Sequence, residues 1–172
     1  TLDEWRKQFD VNVFGAVAMM QAVLPYMRRR KRGHIINITS MGGYITGPGI
    51  GAYNGTKFEL EGISESLSKE VKDFGIKVTA VAPGAFRTDW AGRSMVRAPR
   101  SLPAYDAVFN HLRERRQAIS GKQPGDPAKA ARAILEIVAA SEPPVHLLLG
   151  PDAVKLVNEK LDALRAELKA WE

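Results

Sequence analysis

A tyrosine and a lysine, Tyr53 and Lys57, stand four residues apart in the sequence. On a helix this spacing puts both side chains on one face. A phenol with an ordinary pKa of about 10 is a poor base at neutral pH, but a neighbouring ammonium favours the phenolate and lowers that pKa. The pair can therefore act as a general acid or base. Taken alone, the same spacing is more often a plain contact on a helix surface, so a catalytic interpretation needs further support.

Three further motifs flank this pair. They are an Asn-x-x-Gly at residues 12–15, a serine at Ser40, thirteen residues before Tyr53, and a Pro-Gly-x-x-x-Thr at residues 83–88. Each has an ordinary structural interpretation when taken singly: a polar contact on a helix, a hydroxyl at the end of a strand, and a cap. Their combination with Tyr53 and Lys57 is far more specific than any one of them.

Together, the four motifs resemble the short-chain dehydrogenase/reductase family in type, order and spacing. The resemblance is clear over about residues 2–90 and extends more loosely to residue 149. It implies an oxidoreductase that uses NAD or NADP and interconverts a carbonyl and a secondary alcohol by hydride transfer. The substrate would be a small molecule, and the sequence does not name it.

The resemblance also implies a role for each matched residue. Tyr53 would be the general acid/base, Lys57 would lower its pKa and hold the nicotinamide ribose, and Ser40 would hydrogen-bond the substrate oxygen. Asn12 would hold a water of the proton relay through its backbone carbonyl. The residues that would border the nicotinamide, besides Tyr53 and Lys57, are Pro83, Gly84 and Thr88.

The elements that must position these residues alternate between helix and strand. The predicted order is a helix over residues 2–30, a strand over 34–40, a loop over 41–52, a helix over 53–73, a strand over 76–82, a mixed segment over 85–125 with a helix over 105–120, a helix over 127–140, a strand over 145–149 and a helix over 151–171. Pro25 should bend or break the first helix. This order predicts an α/β fold with a parallel sheet.

The predicted fold class is therefore a Rossmann-like, doubly wound parallel sheet of which only the last three strands and their helices are present. Residues 1–172 would form a single partial domain. The dinucleotide-binding half, about three βα units, would precede Thr1, so the natural chain is expected to be longer. Residues 47–52 fit G-x-G-x-x-A, but Pro48 has no N–H for a phosphate. The acidic or basic residue that selects the cofactor in this fingerprint is missing as well, so NAD and NADP cannot be distinguished.

Composition excludes several other classes of protein. The net charge is +6, there is no cysteine, and apolar residues make up 45%, as in ordinary soluble globular proteins. The run of five cations at residues 28–32 is interpreted as a solvated helix end, with no nucleic acid as partner. Residues 13–20 are too short to span a membrane, so no membrane partner and a cytoplasmic location are expected. The three histidines are far apart, which predicts no metal site.

Segment 87–123 is expected to form the substrate side. Its large apolar side chains could line a pocket over the nicotinamide, although an ordinary pair of surface helices is equally compatible with them; they are Trp90, Met95, Tyr105, Phe109 and Leu112. The last helix carries a stripe at spacings of three and four, for which packing on its own domain is favoured over a coiled coil.

Two functions remain open from the sequence. The first is the catalytic part of an oxidoreductase, and the second is a non-catalytic binding or interaction module that holds no dinucleotide. A homo-oligomer built through the helices at residues 2–30 and 53–73 is expected under either hypothesis.

Overall fold

The computed structural model describes residues 1–92, 95–99 and 102–172. Within them lies a three-stranded sheet made of β1 (Gly33–Ile38), β2 (Ile76–Pro83) and β3 (His146–Leu149), in the order β1-β2-β3. All pairs are parallel, with Ile38 opposite Val81 and Val81 opposite Leu147. The predicted α/β architecture and the three predicted strands are thus confirmed.

Helices follow each strand and precede the first. The described residues form six α-helices: α1 (Leu2–Phe9), α2 (Gly15–Arg30), α3 (Gly51–Val71), α4 (Asp106–Ile119), α5 (Pro127–Ala139) and α6 (Pro151–Lys169). Asp126 caps α5 by accepting a hydrogen bond from the Ala128 N–H at 2.9 Å, as its position before Pro127 predicts.

The first helical segment is continuous from residue 2 to residue 30, but its irregularity is not where the sequence indicates. A π-helical segment, Asp10–Phe14, joins α1 to α2, and the Gly15 N–H donates to the Asp10 carbonyl five residues back. Pro25 does not break the helix, because α2 continues to Arg30; the alternative that it bends the helix stays a prediction. Apolar side chains on both sides of Pro25, Val23, Leu24 and Met27, pack on the core and hold the helix.

The sheet is covered on two faces because successive strand residues point to opposite sides. On one face, α2 and α3 pack through Met20 and Leu60 against Ile35 and Val78. On the other face, Ile137 of α5 packs against Val81 and Leu149. The result is a helix–sheet–helix arrangement that leaves the carboxyl ends of the strands at one edge.

Two boundaries near the candidate site differ from the prediction. Strand β1 ends at Ile38, so Ser40 lies two residues beyond it. The Ser40 side chain accepts a hydrogen bond from the Gly42 N–H at 3.0 Å and caps a 3-10 turn, Met41–Gly43, which ends the extended segment. Helix α3 starts at Gly51, two residues earlier than expected, so Tyr53 lies inside its first turn.

The apolar stripe of α6 is only partly covered. Val157 is buried, but Leu161, Leu164, Leu168 and Trp171 are exposed. The prediction that this helix packs on its own domain therefore holds only for its first turns. Among the described residues, no element covers the second half of the stripe.

The described residues contain one helical segment, Leu2–Arg30, that is long and apolar enough to cross a membrane by length and composition alone, with a mean hydropathy of 1.2 over the relevant window. The sequence interpretation considered only residues 13–20 and is corrected on this point. Met20 and Leu24 pack against the sheet and α3, but only 11% of that apolar window is buried.

Candidate active site

The candidate site lies where the carboxyl ends of β1 and β2 meet. Ser40 and Pro83 each stand two residues beyond the paired residues Ile38 and Val81. Parallel strands end at the same edge of a sheet, which is where ligands bind in open α/β folds. The sequence predicted Ser40 and Pro83 as site residues, and the sheet brings them to one edge.

Tyr53 projects from the first turn of α3 toward Ser40. Burial raises the pKa of Tyr53, and the hydrogen bond with the Ser40 side chain acts in the opposite direction. The pKa of Tyr53 therefore lies above its ordinary value, whereas the sequence led us to expect a lower one. Burial has the larger effect because the phenolate loses its hydration. The lowering by Lys57 stays a prediction.

Lys57 lies one turn after Tyr53, and its Nζ is 5.8 Å from the centroid of the Tyr53 ring. The ammonium donates a hydrogen bond to the Ile38 carbonyl at the end of β1, at 3.0 Å. Burial lowers the pKa of Lys57, and the charge of Glu61 opposes this shift. The predicted sharing of one helix face by Tyr53 and Lys57 is confirmed.

Asn12 is tied to the Tyr53 turn through one intermediate side chain. Its Nδ2 donates to the Thr56 hydroxyl at 3.1 Å, and that hydroxyl donates to the Tyr53 carbonyl at 2.7 Å. Thr56 is fully buried, which makes this connection a fixed one. Asn12 lies inside the π-helical segment, a feature that often occurs at functional sites and that the sequence did not indicate. Its role toward water stays a prediction.

The turn after β2 is held by β3 and α6. The Gly84 N–H donates to the Leu149 carbonyl at 2.8 Å, and the Ala85 N–H donates to Asp152 Oδ2 at 2.7 Å. A Cβ at Gly84 would collide with the Asp152 carboxylate, so a larger residue there would force Asp152 to shift away from the Ala85 N–H. Thr88 caps the next turn by accepting from the Trp90 N–H at 3.4 Å. The role of Pro83, Gly84 and Thr88 at the border of a nicotinamide stays a prediction.

Asn54 fixes the loop between Ser40 and α3 and was missed by the sequence analysis. Its buried Nδ2 donates to the carbonyls of Gly42 at 2.7 Å and Ile45 at 3.0 Å. An amide directly after Tyr53 and a glycine-rich loop were the available signals. Glu61 was missed as well, although it continues the four-residue spacing of Tyr53 and Lys57.

The substrate-side segment reaches the site at two points. The Trp90 ring lies 5.4 Å from the Tyr53 ring, and Phe109 of α4 lies against Gly49 in the loop before α3. The complete apolar pocket predicted for segment 87–123 stays a prediction. Within that segment, Arg93, Ser94, Arg100 and Ser101 lie outside the described residues.

Known proteins with the same arrangement define the class. Residues 1–97 match the family described as short chain dehydrogenase. The chain therefore belongs to the short-chain dehydrogenase family, as its motifs suggested, and its three-stranded parallel sheet fits the Rossmann-like fold of that family. The family is one of oxidoreductases.

Individual relatives agree with this assignment. The chain is 39% identical to Oxidoreductase BOA17 of Botryotinia fuckeliana over 170 residues, which are 99% of this chain and 62% of the relative. It is 37% identical to the 3-ketodihydrosphingosine reductase of Bacteroides thetaiotaomicron over 172 residues, which are 99% of this chain and 61% of the relative. The chain thus spans less than two thirds of the length of these relatives.

Solved structures give the same result. A short-chain dehydrogenase from Streptomyces avermitilis superposes with a TM-score of 0.86 at 42% identity, covering 99% of this chain and 62% of the other. A gluconate 5-dehydrogenase from Burkholderia cenocepacia, solved with NADP and tartrate, has a TM-score of 0.52 at 29% identity and covers 64% of this chain and 42% of the other. One structural relative of the chain has thus been solved with a nicotinamide dinucleotide bound.

Proposed function

We propose that this chain is the catalytic part of an oxidoreductase that uses NAD or NADP and interconverts a carbonyl and a secondary alcohol by hydride transfer. The observation that carries this proposal is the convergence of Ser40, Tyr53 and Lys57 at the carboxyl edge of the sheet. The family match supports the reaction class, and the names of the relatives include a ketone reductase.

The residues present fit a nicotinamide riboside. An ammonium has three N–H donors, and among the described residues the hydrogen bonds of Lys57 include one acceptor, the Ile38 carbonyl. The remaining donors suit the two hydroxyls of a ribose. Pro83, Gly84 and Thr88 would border the ring. The nicotinamide, when bound, supplies the hydride chemistry.

Tyr53 would exchange the proton at the substrate oxygen. In the reducing direction the carbonyl carbon gains the hydride, and the oxygen gains the Tyr53 phenol proton, which yields the alcohol. Burial raises the pKa of Tyr53 and so keeps this proton available. Ser40 would donate a hydrogen bond to the same oxygen and stabilise its developing negative charge.

Asn12 and Lys57 would restore the proton of Tyr53. We propose that the Asn12 backbone carbonyl holds a water in this relay, because the Asn12–Thr56–Tyr53 hydrogen bonds fix Asn12 relative to Tyr53. Oxidation needs the phenolate, and a Lys57 ammonium beside it would favour that form.

The rest of the dinucleotide would be held by sequence outside the printed chain. The support for this proposal is that the chain spans 62% of one relative and 61% of another. Trp90, against the Tyr53 ring, would contact the substrate. NAD and NADP remain equal alternatives for the cofactor.

For the 172-residue chain alone, a non-catalytic interaction module is the second candidate function. Among the described residues, β1 pairs only with β2, and large apolar side chains are exposed on the first helical segment. An isolated chain that binds a partner protein but neither NADH nor NADPH would support this second candidate.

Replacing Tyr53 tests the proposed function. In the intact protein encoded by the natural gene, Tyr53→Phe should lower kcat/KM by at least about 100-fold, because the variant has no proton to exchange. The measurement is the loss of the absorbance of reduced nicotinamide, with NADH and NADPH separately and with diacetyl, cyclohexanone and hexanal as carbonyl probes. Binding of the reduced nicotinamide, followed by its fluorescence, is a readout that needs no substrate.

Tyr26→Phe is the matched control, because Tyr26 is exposed on α2 and loses the same hydroxyl. It should keep the wild-type rate. Full turnover in the Tyr53→Phe variant would show that the assigned acid/base is wrong.

A further inference from the structure

A buried carboxylate lies behind the candidate site. Glu61 is only 6% exposed, and polar side chains from three other parts of the fold converge on it. Its Oε1 accepts from the Thr39 hydroxyl, and its Oε2 accepts from the Tyr44 hydroxyl at 2.8 Å and lies 2.8 Å from His146 Nδ1. These four residues, Thr39, Tyr44, Glu61 and His146, are called the Glu61 cluster below.

Hydroxyl donors reach both oxygens of the Glu61 carboxylate, from Thr39 on one side and Tyr44 on the other. Burial and the hydrogen bond to Glu61 raise the pKa of Tyr44, so this phenol keeps its proton and donates. His146 Nδ1 lies 2.8 Å from the same carboxylate oxygen and 2.9 Å from the Tyr44 hydroxyl, so the ring contacts both partners. Both carboxylate oxygens of Glu61 thus accept hydrogen bonds. A glutamine in place of Glu61 would put its own N–H group against the donor at one of these two positions.

The Glu61 cluster connects the elements that carry the proposed catalytic residues. Thr39 directly precedes Ser40, and Tyr44 follows the turn that Ser40 caps. Glu61 itself lies on α3, one turn after Lys57 and two turns after Tyr53. One carboxylate therefore joins the Ser40 segment to the Tyr53 helix, and His146 extends the connection to β3.

Glu61 also acts on Lys57 through its charge. The titratable groups around this part of the site are Tyr53, Glu61 and Glu65 on α3, Tyr44 from the segment after β1, and His146 from β3. Burial works against the Lys57 ammonium, and the charge that opposes burial is that of Glu61. Glu65 is exposed and is paired with Lys69 at 2.6 Å.

We propose that Glu61 is a positioning residue for the hydride-transfer site: its buried carboxylate holds the Ser40 segment against α3 and places a negative charge one helical turn from Lys57. This inference rests on the proposed function for its catalytic consequence. The hydrogen bonds of Glu61 within its cluster do not depend on that function. Its position one turn from Lys57 does not depend on it either.

The test compares Glu61→Gln with Glu70→Gln in the intact protein. Glu70 is an exposed glutamate on the same helix, so its replacement removes the same charge elsewhere. Reduction requires a protonated Tyr53 and a protonated Lys57, so kcat falls as the pH rises through the lower of their coupled midpoints. Removing the Glu61 charge lowers the Lys57 midpoint.

We expect the alkaline limb of kcat for diacetyl reduction in Glu61→Gln to move about one pH unit lower, the size expected for one nearby charge. KM for diacetyl should change less than about twofold, since substrate affinity does not require the Glu61 charge. Glu70→Gln should keep the wild-type limb. A purely structural role of Glu61 would lower the melting temperature without moving the limb.

A second measurement needs no activity. In protein labelled with ¹³C at lysine Cε, the Lys57 resonance, assigned by its loss in Lys57→Arg, should titrate about one pH unit lower in Glu61→Gln than in the wild type. An unchanged Lys57 midpoint in a folded Glu61→Gln variant would overturn the proposal and leave the proposed function intact. A wild-type protein that turns over none of the carbonyl probes would contradict the proposed function. The titration midpoint of Lys57 would still test the proposed role of Glu61 in that case.

Glu61→Met is the second variant if the glutamine variant does not fold, because it removes the charge at similar volume and offers no amide to the donors. The expected shift of the Lys57 midpoint is the same. If neither variant folds, Glu61 is required for the stability of the fold. That result would overturn a separate role of Glu61 toward Lys57.

Discussion

One face of α3 carries Tyr53, Lys57 and Glu61 at successive four-residue steps, and the neighbouring face carries the residues that hold this helix in place. Asn54 shows how strict these supporting contacts are. Its buried amide donates to two carbonyls of the loop that links Ser40 to α3, at 2.7 Å and 3.0 Å. A side chain of the same shape without donors would put oxygen against oxygen at both contacts.

Asn54→Asp is therefore expected to destabilise the intact protein by about 3 kcal/mol near pH 8, because a buried carboxylate would face two carbonyl oxygens. The pKa of the new carboxyl would be raised above its ordinary value, so the folded variant binds more protons than the unfolded chain. Its stability relative to the wild type should rise as the pH is lowered toward about 5. Urea unfolding at both pH values measures this.

Asn158→Asp is the control for this change. Asn158 also donates to a carbonyl, that of Val154 at 2.7 Å, but it is exposed on α6. Water can solvate the new carboxylate there, so the loss should stay below about 0.5 kcal/mol. Equal losses at the two positions would mean that the Asn54 contacts contribute little.

At the scale of elements, the joint between α2 and β2 depends on one glycine. Gly75 ends the segment after α3 with a φ of 69°, and a Cβ there would collide with the Lys31 backbone carbonyl at the end of α2. The left-handed conformation and the close approach both require glycine. Gly75 thus sets how closely the start of β2 approaches the chain that leads into β1.

Two glycine-to-alanine changes should have opposite effects on stability. Gly75→Ala should destabilise the intact protein by about 2 kcal/mol, through backbone strain and the collision. Gly62→Ala, at an exposed position of α3 where nothing lies within 4 Å of a new Cβ, should stabilise it by about 0.5–1 kcal/mol, because alanine costs less backbone entropy in a helix. The denaturant midpoints of the two variants and the wild type measure these changes. A loss of stability in both variants would contradict the expected opposite effects.

At the scale of the whole molecule, the helices on one side of the sheet leave apolar surface exposed. Phe14 and Met19 of the first helical segment and Phe58 of α3 are 59%, 66% and 43% exposed. Large exposed apolar side chains that lie together often mark an interface. This supports the proposal that the intact protein is a homo-oligomer through these helices.

Phe58→Glu should therefore convert the intact protein to a smaller species, because association would bury the new charge without a partner. Light scattering coupled to size-exclusion chromatography measures the change in mass. Leu135→Glu is the control, since Leu135 is 67% exposed on α5, on the opposite face of the sheet. A wild-type protein that is already monomeric would contradict the proposed oligomer.

The sequence by itself determined the features that depend on local spacing. The shared face of Tyr53 and Lys57, the cap at Asp126, the glycine at residue 75 and the three parallel strands all follow from periodicity and backbone preference over a few residues. The motifs around Ser40 and Pro83 were sufficient to identify the family, because their order along the chain is itself specific.

Only the tertiary structure decided the environment of these residues. The pKa of Tyr53 is raised because burial, which depends on distant parts of the chain, has a larger effect than the hydrogen bond with Ser40. The Glu61 cluster joins residues as far apart as Tyr44 and His146, 102 positions from each other. Spacing fixes which face of a helix a residue occupies, but packing fixes what that face touches and therefore its charge, its proton and its partners.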